Sequence, residues 1–351
     1  MTPFVFPGIS TRVVFGEGTL AQTGDELRRL GASHALVLTT PEQDAAGETL
    51  AKQLGDLAAG TFAEAAMHTP VEVTARALDA YDAAGADCVV ALGGGSTIGL
   101  GKAIATRRGC DQVAIPTTYA GSEMTDILGE TENGEKTTRR DPSIRPETVI
   151  YDVALTLDLP VDMSVKSALN AAAHAVEAIY APDANPVTTL MSLDALRAIK
   201  AALPDLRKSP RDAQIRARLL YGAWLCSTAL GYVAMSLHHK LAHVVGGSFD
   251  MPHANTHAIL LPHTAHFNET GTAALDPVAE IFGGSVGGGL WDLAEASGAP
   301  LRLADLGLSE ADLDRASEIA LKNEYENPRP FDQKDIRDLL QAAWEGRRPD
   351  A

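Results

Sequence analysis

The stretch Cys88-Val89-Val90-Ala91-Leu92-Gly93-Gly94-Gly95-Ser96-Thr97 decides the architecture. Five residues suited to a buried strand run straight into three glycines and two hydroxyl side chains. Gly99–Thr106 then continues with helical spacing. A strand that turns this abruptly into a helix is the repeating unit of a parallel sheet. Glycines let a backbone approach a ligand closely, and the free N–H groups and positive dipole end of the following helix suit a phosphate. The spacing is not G-x-G-x-x-G, because Ile98 occupies the last position. Taken alone, the turn is equally well explained as a tight strand-to-helix connection.

Working outward, the same alternation repeats. Arg12–Phe15 reads as a strand, Thr19–Leu30 as a helix stopped by Gly31, Ala35–Thr40 as a strand, and Pro70–Ala84 as a helix closed by Gly85. Downstream, Val113–Ile115 leads into Pro116-Thr117-Thr118 and then Gly121-Ser122, and Thr148–Tyr151 is one more apolar strand. The polar stretch Glu130–Arg145 reads as a loop or hairpin. These elements predict an α/β dinucleotide-binding domain with a parallel, Rossmann-like sheet over residues 1–155. After residue 155 only helical periodicity remains, over Leu159–Tyr180, Asn185–Leu203, Arg211–Met235, Leu237–Gly246, Gly288–Ala296, Ser309–Asn323 and Gln333–Trp344. This predicts an all-α C-terminal domain over residues 156–351.

Two hydroxyl- and glycine-bearing turns at the carboxyl ends of parallel strands favour a nucleotide over a mere turn. The expected contacts are Gly93, Gly94, Gly95, Ser96, Thr117, Thr118 and Ser122. The strand Ala35–Thr40 ends in Thr39-Thr40 and not in an acid that would grip a ribose 2′-hydroxyl. Thr40 is therefore a further expected contact, and weak discrimination between NADH and NADPH is predicted.

The 351 residues carry a formal net charge of −17, which repels nucleic acid and anionic membrane surfaces and excludes both as expected partners. Cys88, Cys110 and Cys226 show no metal or C-x-x-C spacing and fit a reducing, cytoplasmic compartment. Neither a signal peptide nor a membrane-spanning stretch is expected.

The C-terminal half gathers histidine: seven of the ten fall between His238 and His266. His239 and His243 are four apart, so a helix places them on one face; Asn170 and His174 share that spacing, with Glu177 one turn on. Three readings stand. The histidines are unrelated core or surface residues; or His174, His239 and His253 hold a divalent metal, with a neutral Asn170 as a weak fourth donor; or His and Lys240 form a metal-free pocket that binds carboxylates and donates protons. His257, His263 and His266 flank this group and are read as structural.

Taken in order, FGEGT, GGGST with IGLGKAIA, IPTTYAGSEMTDI, TVIYDVALTLDLP, SALNAAAHAVEAIY, HHKLAHVVGGSFDMPHANTHAILLPH and NPRPFDQKDIRDLLQAAWEG resemble the iron-containing (group III) alcohol dehydrogenase family, and within it the branch that reduces maleylacetate. The resemblance covers nearly the whole chain. It implies a nucleotide-binding domain, a helical domain, an active site where the two meet, and a homodimer. The family's dehydrogenases usually hold a metal with one Asp and three His. Those positions fall on Asn170, His174, His239 and His253, and the missing carboxylate leads to the expectation of no tightly bound metal. His243 matches a further active-site histidine, and the GGGS and Thr117-Thr118 turns match the cofactor contacts.

The resemblance implies NADH- or NADPH-dependent reduction of the conjugated double bond of a small dicarboxylate, with charge developing on the ketone oxygen as an enolate. His253 and His239, with Asn170 as neutral donor, are expected to stabilise that charge, His243 to supply the proton, and Lys240 to bind a carboxylate. Competing readings are a metal-dependent alcohol dehydrogenase acting on a small aldehyde or ketone, which Asn170 disfavours; a lyase that uses NAD transiently; and a non-catalytic nucleotide-binding protein, which would have no reason to gather His and Lys.

Overall fold

The computed structural model describes residues 3–322 and 325–350. The chain divides into two compact units, Pro7–Leu159 and Pro160–Ala351 with Met1–Phe6. The join expected at 155/156 thus falls a few residues later, past a short turn at Val153–Thr156. Phe6 goes with the helical unit because its ring packs 5.0 Å from that of Tyr232.

In the first unit the chain runs β1 (Arg12–Gly16), α1 (Thr23–Leu30), β2 (Ala35–Leu38), α2 (Asp44–Leu54), β3 (Ala58–Phe62), α3 (Val71–Ala83), β4 (Cys88–Gly93), α4 (Gly95–Arg108), β5 (Asp111–Pro116), β6 (Ile127–Glu132), β7 (Glu135–Arg140) and β8 (Thr148–Asp152). Six strands form one parallel sheet in the order β1-β8-β5-β4-β2-β3. β2, β4 and β8 are buried along their whole length, as parallel strands covered on both faces must be. Alternate residues feed two cores: Cys88, Val90 and Leu92 pack with Leu27 and Val37 on one face, while Val89 packs with Leu36, Leu100 and Ile104 on the other. The parallel sheet with helices is the fold the glycine turn predicts. The polar stretch at 130–145 resolves into the antiparallel hairpin β6–β7, turned by Asn133 and Gly134 at φ 51° and 80°.

The second unit is helical: α5 (Val161–Tyr180), α6 (Pro186–Ala202), α7 (Ala213–Leu230), α8 (Leu237–Ser248), α9 (His253–Glu269), α10 (Asp276–Phe282), α11 (Val286–Ala296), α12 (Asp312–Ala320) and α13 (Gln333–Glu345). α5 is buried almost all round, and Ala171, Ala172, Ala173, Ala175 and Ala178 let neighbouring helices close on it. The helix expected to end at Asn323 ends at Ala320; Asn323 itself lies outside the described residues. The helix expected to reach Met235 ends at Leu230, before Gly231.

α9 is the departure that matters. Pro252 stands at its start, where proline is tolerated, but Pro262 lies inside it, a signal against a continuous helix. Packing against α5, α8 and α11 overrides it. α11 approaches so closely that a Cβ on Gly287 would lie 2.4 Å from Cβ of His266 and 2.8 Å from the carbonyl oxygen of Pro262. Glu269, at the end of α9, accepts from His266 Nδ1 at 2.8 Å and from the backbone N–H of Val286 at 2.6 Å, tying the two helices together. Among the described residues no helix is long and apolar enough to cross a membrane.

Candidate active site

In the sheet unit, the residues expected to meet a nucleotide collect at the carboxyl ends of three neighbouring strands, β2, β4 and β5. Gly93 pairs with Pro116 across the last rung of β4 and β5, and its carbonyl accepts from the backbone N–H of Thr117 at 3.0 Å. A Cβ on Gly93 would lie 2.3 Å from Thr97 Oγ1, and one on Gly94 would lie 3.1 Å from Thr118 Cγ2. Gly95 has open space around it and begins α4. Backbone therefore stands where side chains would fill the cradle, in front of a helix N-terminus, which suits a pyrophosphate. Thr40 caps the short turn Pro41–Gln43 after β2. From that turn Gln43 Nε2 donates to Thr117 Oγ1 at 3.2 Å, a link that no sequence signal announces. Ser122 opens a further turn after Gly121, whose φ of 91° demands glycine.

In the helical unit, α5, α8 and α9 bring six imidazoles into one group. His174 and His239 stack at 5.2 Å between ring centroids, His239 and His243 lie 6.1 Å apart, His243 and His253 6.3 Å, and His253 and His257 4.4 Å. His238 joins 5.0 Å from His257. Asn170 and His174 share the inner face of α5, both buried. His243 and His253 are exposed, so the group has a buried floor and a wet mouth. His257 and His238 therefore belong to the cluster, whereas His263 and His266 lie apart, the latter on Glu269. Lys240 turns its ammonium over the Tyr325 ring, 5.8 Å from the centroid.

Glu177 anchors the floor. Fully buried, it accepts from His239 Nδ1, from the backbone N–H of Ser236 at 2.6 Å and from that of His239 at 3.3 Å. Three donors on one carboxylate fix the His239 ring with Nδ1 turned toward Glu177. Nε2 of His239 has no hydrogen-bond partner and is left for a ligand.

A second set of hydrogen bonds fixes tautomers. Thr264 Oγ1 donates to the carbonyls of Leu260 and Leu261, at 3.0 and 3.2 Å. It therefore accepts from His238 Nδ1 at 2.9 Å, and His238 Nε2 accepts from His257 Nδ1 at 2.9 Å. Burial, reinforced by the neighbouring imidazoles, pushes His174, His238 and His257 well below the ordinary imidazole range, so all three are neutral.

As a metal site the donor set is weak at one position. The fourth position offers the carboxamide of Asn170 in place of a carboxylate. Among the described residues no three His, Cys, Asp or Glu side chains form a metal-holding group.

Comparison with known proteins gives this architecture its class. Residues 10–153 match the family described as iron-containing alcohol dehydrogenase, and residues 164–344 match the C-terminal part of the Fe-containing alcohol dehydrogenase family. The chain belongs to the iron-containing alcohol dehydrogenase family. It is 57% identical over 351 residues to a maleylacetate reductase of Rhizobium sp. strain MTP-10005, with all of both chains covered. A maleylacetate reductase of Burkholderia cepacia is 50% identical, covering 99% of this chain and 100% of its own. The solved structure of maleylacetate reductase from Agrobacterium tumefaciens superposes with a TM-score of 0.97 at 58% identity, over 99% of this chain and 100% of that one.

Proposed function

We propose that this chain reduces the conjugated carbon–carbon double bond of maleylacetate to 3-oxoadipate with NADH or NADPH, in the breakdown of aromatic compounds, as a cytoplasmic homodimer without a tightly held metal. The carrying observation is the Glu177-anchored imidazole cluster in a chain 57% identical, end to end, to a maleylacetate reductase. The free cysteines Cys88, Cys110 and Cys226 agree with a reducing compartment.

The backbone of Gly93, Gly94, Gly95 and Ser96, with Thr40, Thr117, Thr118 and Ser122, holds the dinucleotide. When bound, the reduced nicotinamide supplies hydride to the alkene carbon that bears the carboxylate. The residues of the cluster manage the charge that results. Negative charge grows on the ketone oxygen, and the ring of His239, the carboxamide of Asn170 and the ring of His253 are the groups that steady it and lower the barrier. His174 packs against His239 and keeps its plane. His243, at the wet mouth, returns a proton to the carbon beside the ketone. Lys240 supplies positive charge for a substrate carboxylate. A conjugated ketone spreads its charge over oxygen and carbon, so hydrogen bonds serve where a localised alkoxide calls for a metal.

The test is loss of the near-ultraviolet absorbance of NADH or NADPH on adding maleylacetate, with small aldehydes as the comparison. Turnover of aldehydes and none of maleylacetate would overturn the reading, as would activity that disappears with a stoichiometric metal on chelation.

A further inference from the structure

Lys102 is a buried amine that the reaction does not use; burial pulls its ammonium down to about 7, against the support of the negative charges of Glu123 and Asp126. It lies two turns into α4, with no exposed surface. Its Nζ donates to the backbone carbonyls of Ser122 at 2.5 Å, Thr125 at 2.8 Å and Ile127 at 3.0 Å. The hydroxyls of Thr125 and Ser122 lie at 3.1 and 3.4 Å. Three ammonium protons thus meet three main-chain oxygens of one short segment. Among the described residues no carboxylate forms an ion pair with Lys102.

A buried ammonium costs several kcal/mol in desolvation, and a hydrocarbon side chain at this position would avoid that cost. What the lysine adds is a fixed distance. The segment it grips continues from Thr117, Thr118 and Ser122, and the helix that carries it begins at Gly95, the glycine turn. At the other end of the same segment, Thr118 already lies close enough to Gly94 to crowd a Cβ there. The segment is therefore held against α4 at two points, by van der Waals contact at the helix start and by Lys102 two turns on.

We propose that Lys102 is a positioning residue for the dinucleotide: by clamping the carbonyls of Ser122, Thr125 and Ile127 to α4, it sets the spacing between the Thr117–Ser122 turn and the phosphate-facing start of that helix. This rests on reading those two turns as the cofactor contacts. Nearby Glu123 is buried and accepts from Tyr151 at 2.8 Å. It acts on Lys102 through its charge and shares in holding the ammonium, while the hydrogen bonds of the clamp go to the main chain.

The experiment is direct titration of the full-length chain with NADH, following nicotinamide fluorescence without substrate, for wild type, Lys102→Met and Thr125→Val, with steady-state kinetics alongside. The expected result is a dissociation constant for NADH raised about tenfold or more by Lys102→Met, the loss of one to two hydrogen bonds to a charged group. Thr125→Val, which removes the hydroxyl contact with Lys102 and that hydroxyl's own bond to the Ser122 carbonyl, is expected to raise it about two- to threefold and carries the test if the methionine variant does not fold. KM for maleylacetate stays within about twofold in both. Variants with lowered melting temperature but wild-type NADH affinity would overturn the proposal and leave Lys102 as a core residue only. A wild-type chain that binds neither NADH nor NADPH would overturn the cofactor reading and this proposal with it.

Discussion

Nδ1 of His239 donates to the fully buried carboxylate of Glu177, which also gathers the backbone N–H groups of Ser236 and His239. The pair fixes the ring and leaves the buried Nε2 without a hydrogen-bond partner. Glu177→Gln keeps the shape and removes the charge. The expected outcome is a fall in kcat of about 10²- to 10³-fold, equivalent to the loss of one donor to a developing oxyanion, with little change in KM for NADH. Steady-state kinetics with both substrates varied checks it, and an unchanged kcat would remove His239 from the mechanism.

The resemblance to the family's dehydrogenases sets Asn170 against a carboxylate in their metal site. Asn170→Asp adds a negative charge against His174 and the neighbouring imidazoles. We expect measurable uptake of a divalent metal by elemental analysis and a drop in maleylacetate turnover of at least about tenfold, because an anion beside the developing enolate opposes its charge. A variant as active as wild type and still metal-free would show that the carboxamide has no part in the chemistry.

The Thr264–His238–His257 chain predicts that His238 and His257 both carry their proton on Nδ1. Thr264→Val leaves a buried N–H without an acceptor, at a cost of about 1–3 kcal/mol. Long-range ¹⁵N–¹H spectra of the imidazoles should show the Nδ1–H pattern in wild type and in Thr264→Ser, and a changed pattern in Thr264→Val. Nε2–H tautomers in wild type would contradict the assignment.

Acid should unfold this chain early. His174, His238 and His257 lie well below the free imidazole range, and burial, with His266 and Arg347 nearby, pushes His263 to about 3. Each is neutral when folded and protonates freely near pH 6.5 when unfolded, so the unfolded chain binds more protons below that value. Stability is therefore at its full value above about pH 6.5 and falls by about 1.4 kcal/mol per pH unit per histidine as pH drops toward the folded values. Denaturant midpoints between pH 7 and pH 4 measure the slope. His263→Gln, which lies outside the imidazole cluster, is expected to reduce it by about one proton.

The sequence carries much of this, unevenly. The strand-to-glycine junction at Leu92–Gly93 announces the sheet because local chemistry dictates it. The i, i+4 pairs Asn170/His174 and His239/His243 announce two helix faces for the same reason. The assembly of the cluster was less visible. His253 and His257 reach it only because α9 is helical, and Pro262 argues against that locally. What holds α9 is its burial among α5, α8 and α11, which no window of sequence displays. β3, a short edge strand with Gly60 in its middle, escaped notice because neither alternation nor β-branching marks it. Nothing in the sequence marks Lys102, since its burial depends on carbonyls twenty and more residues away.

The contact between Gly287 and His266 has a consequence for anyone reshaping this protein. The helix that carries His253 and His257 is seated, at Pro262 and His266, by a residue with no side chain and no chemistry of its own. Even a single methyl there would push on α9 from its far side, so a change made away from the imidazoles bears on the helix that presents two of them.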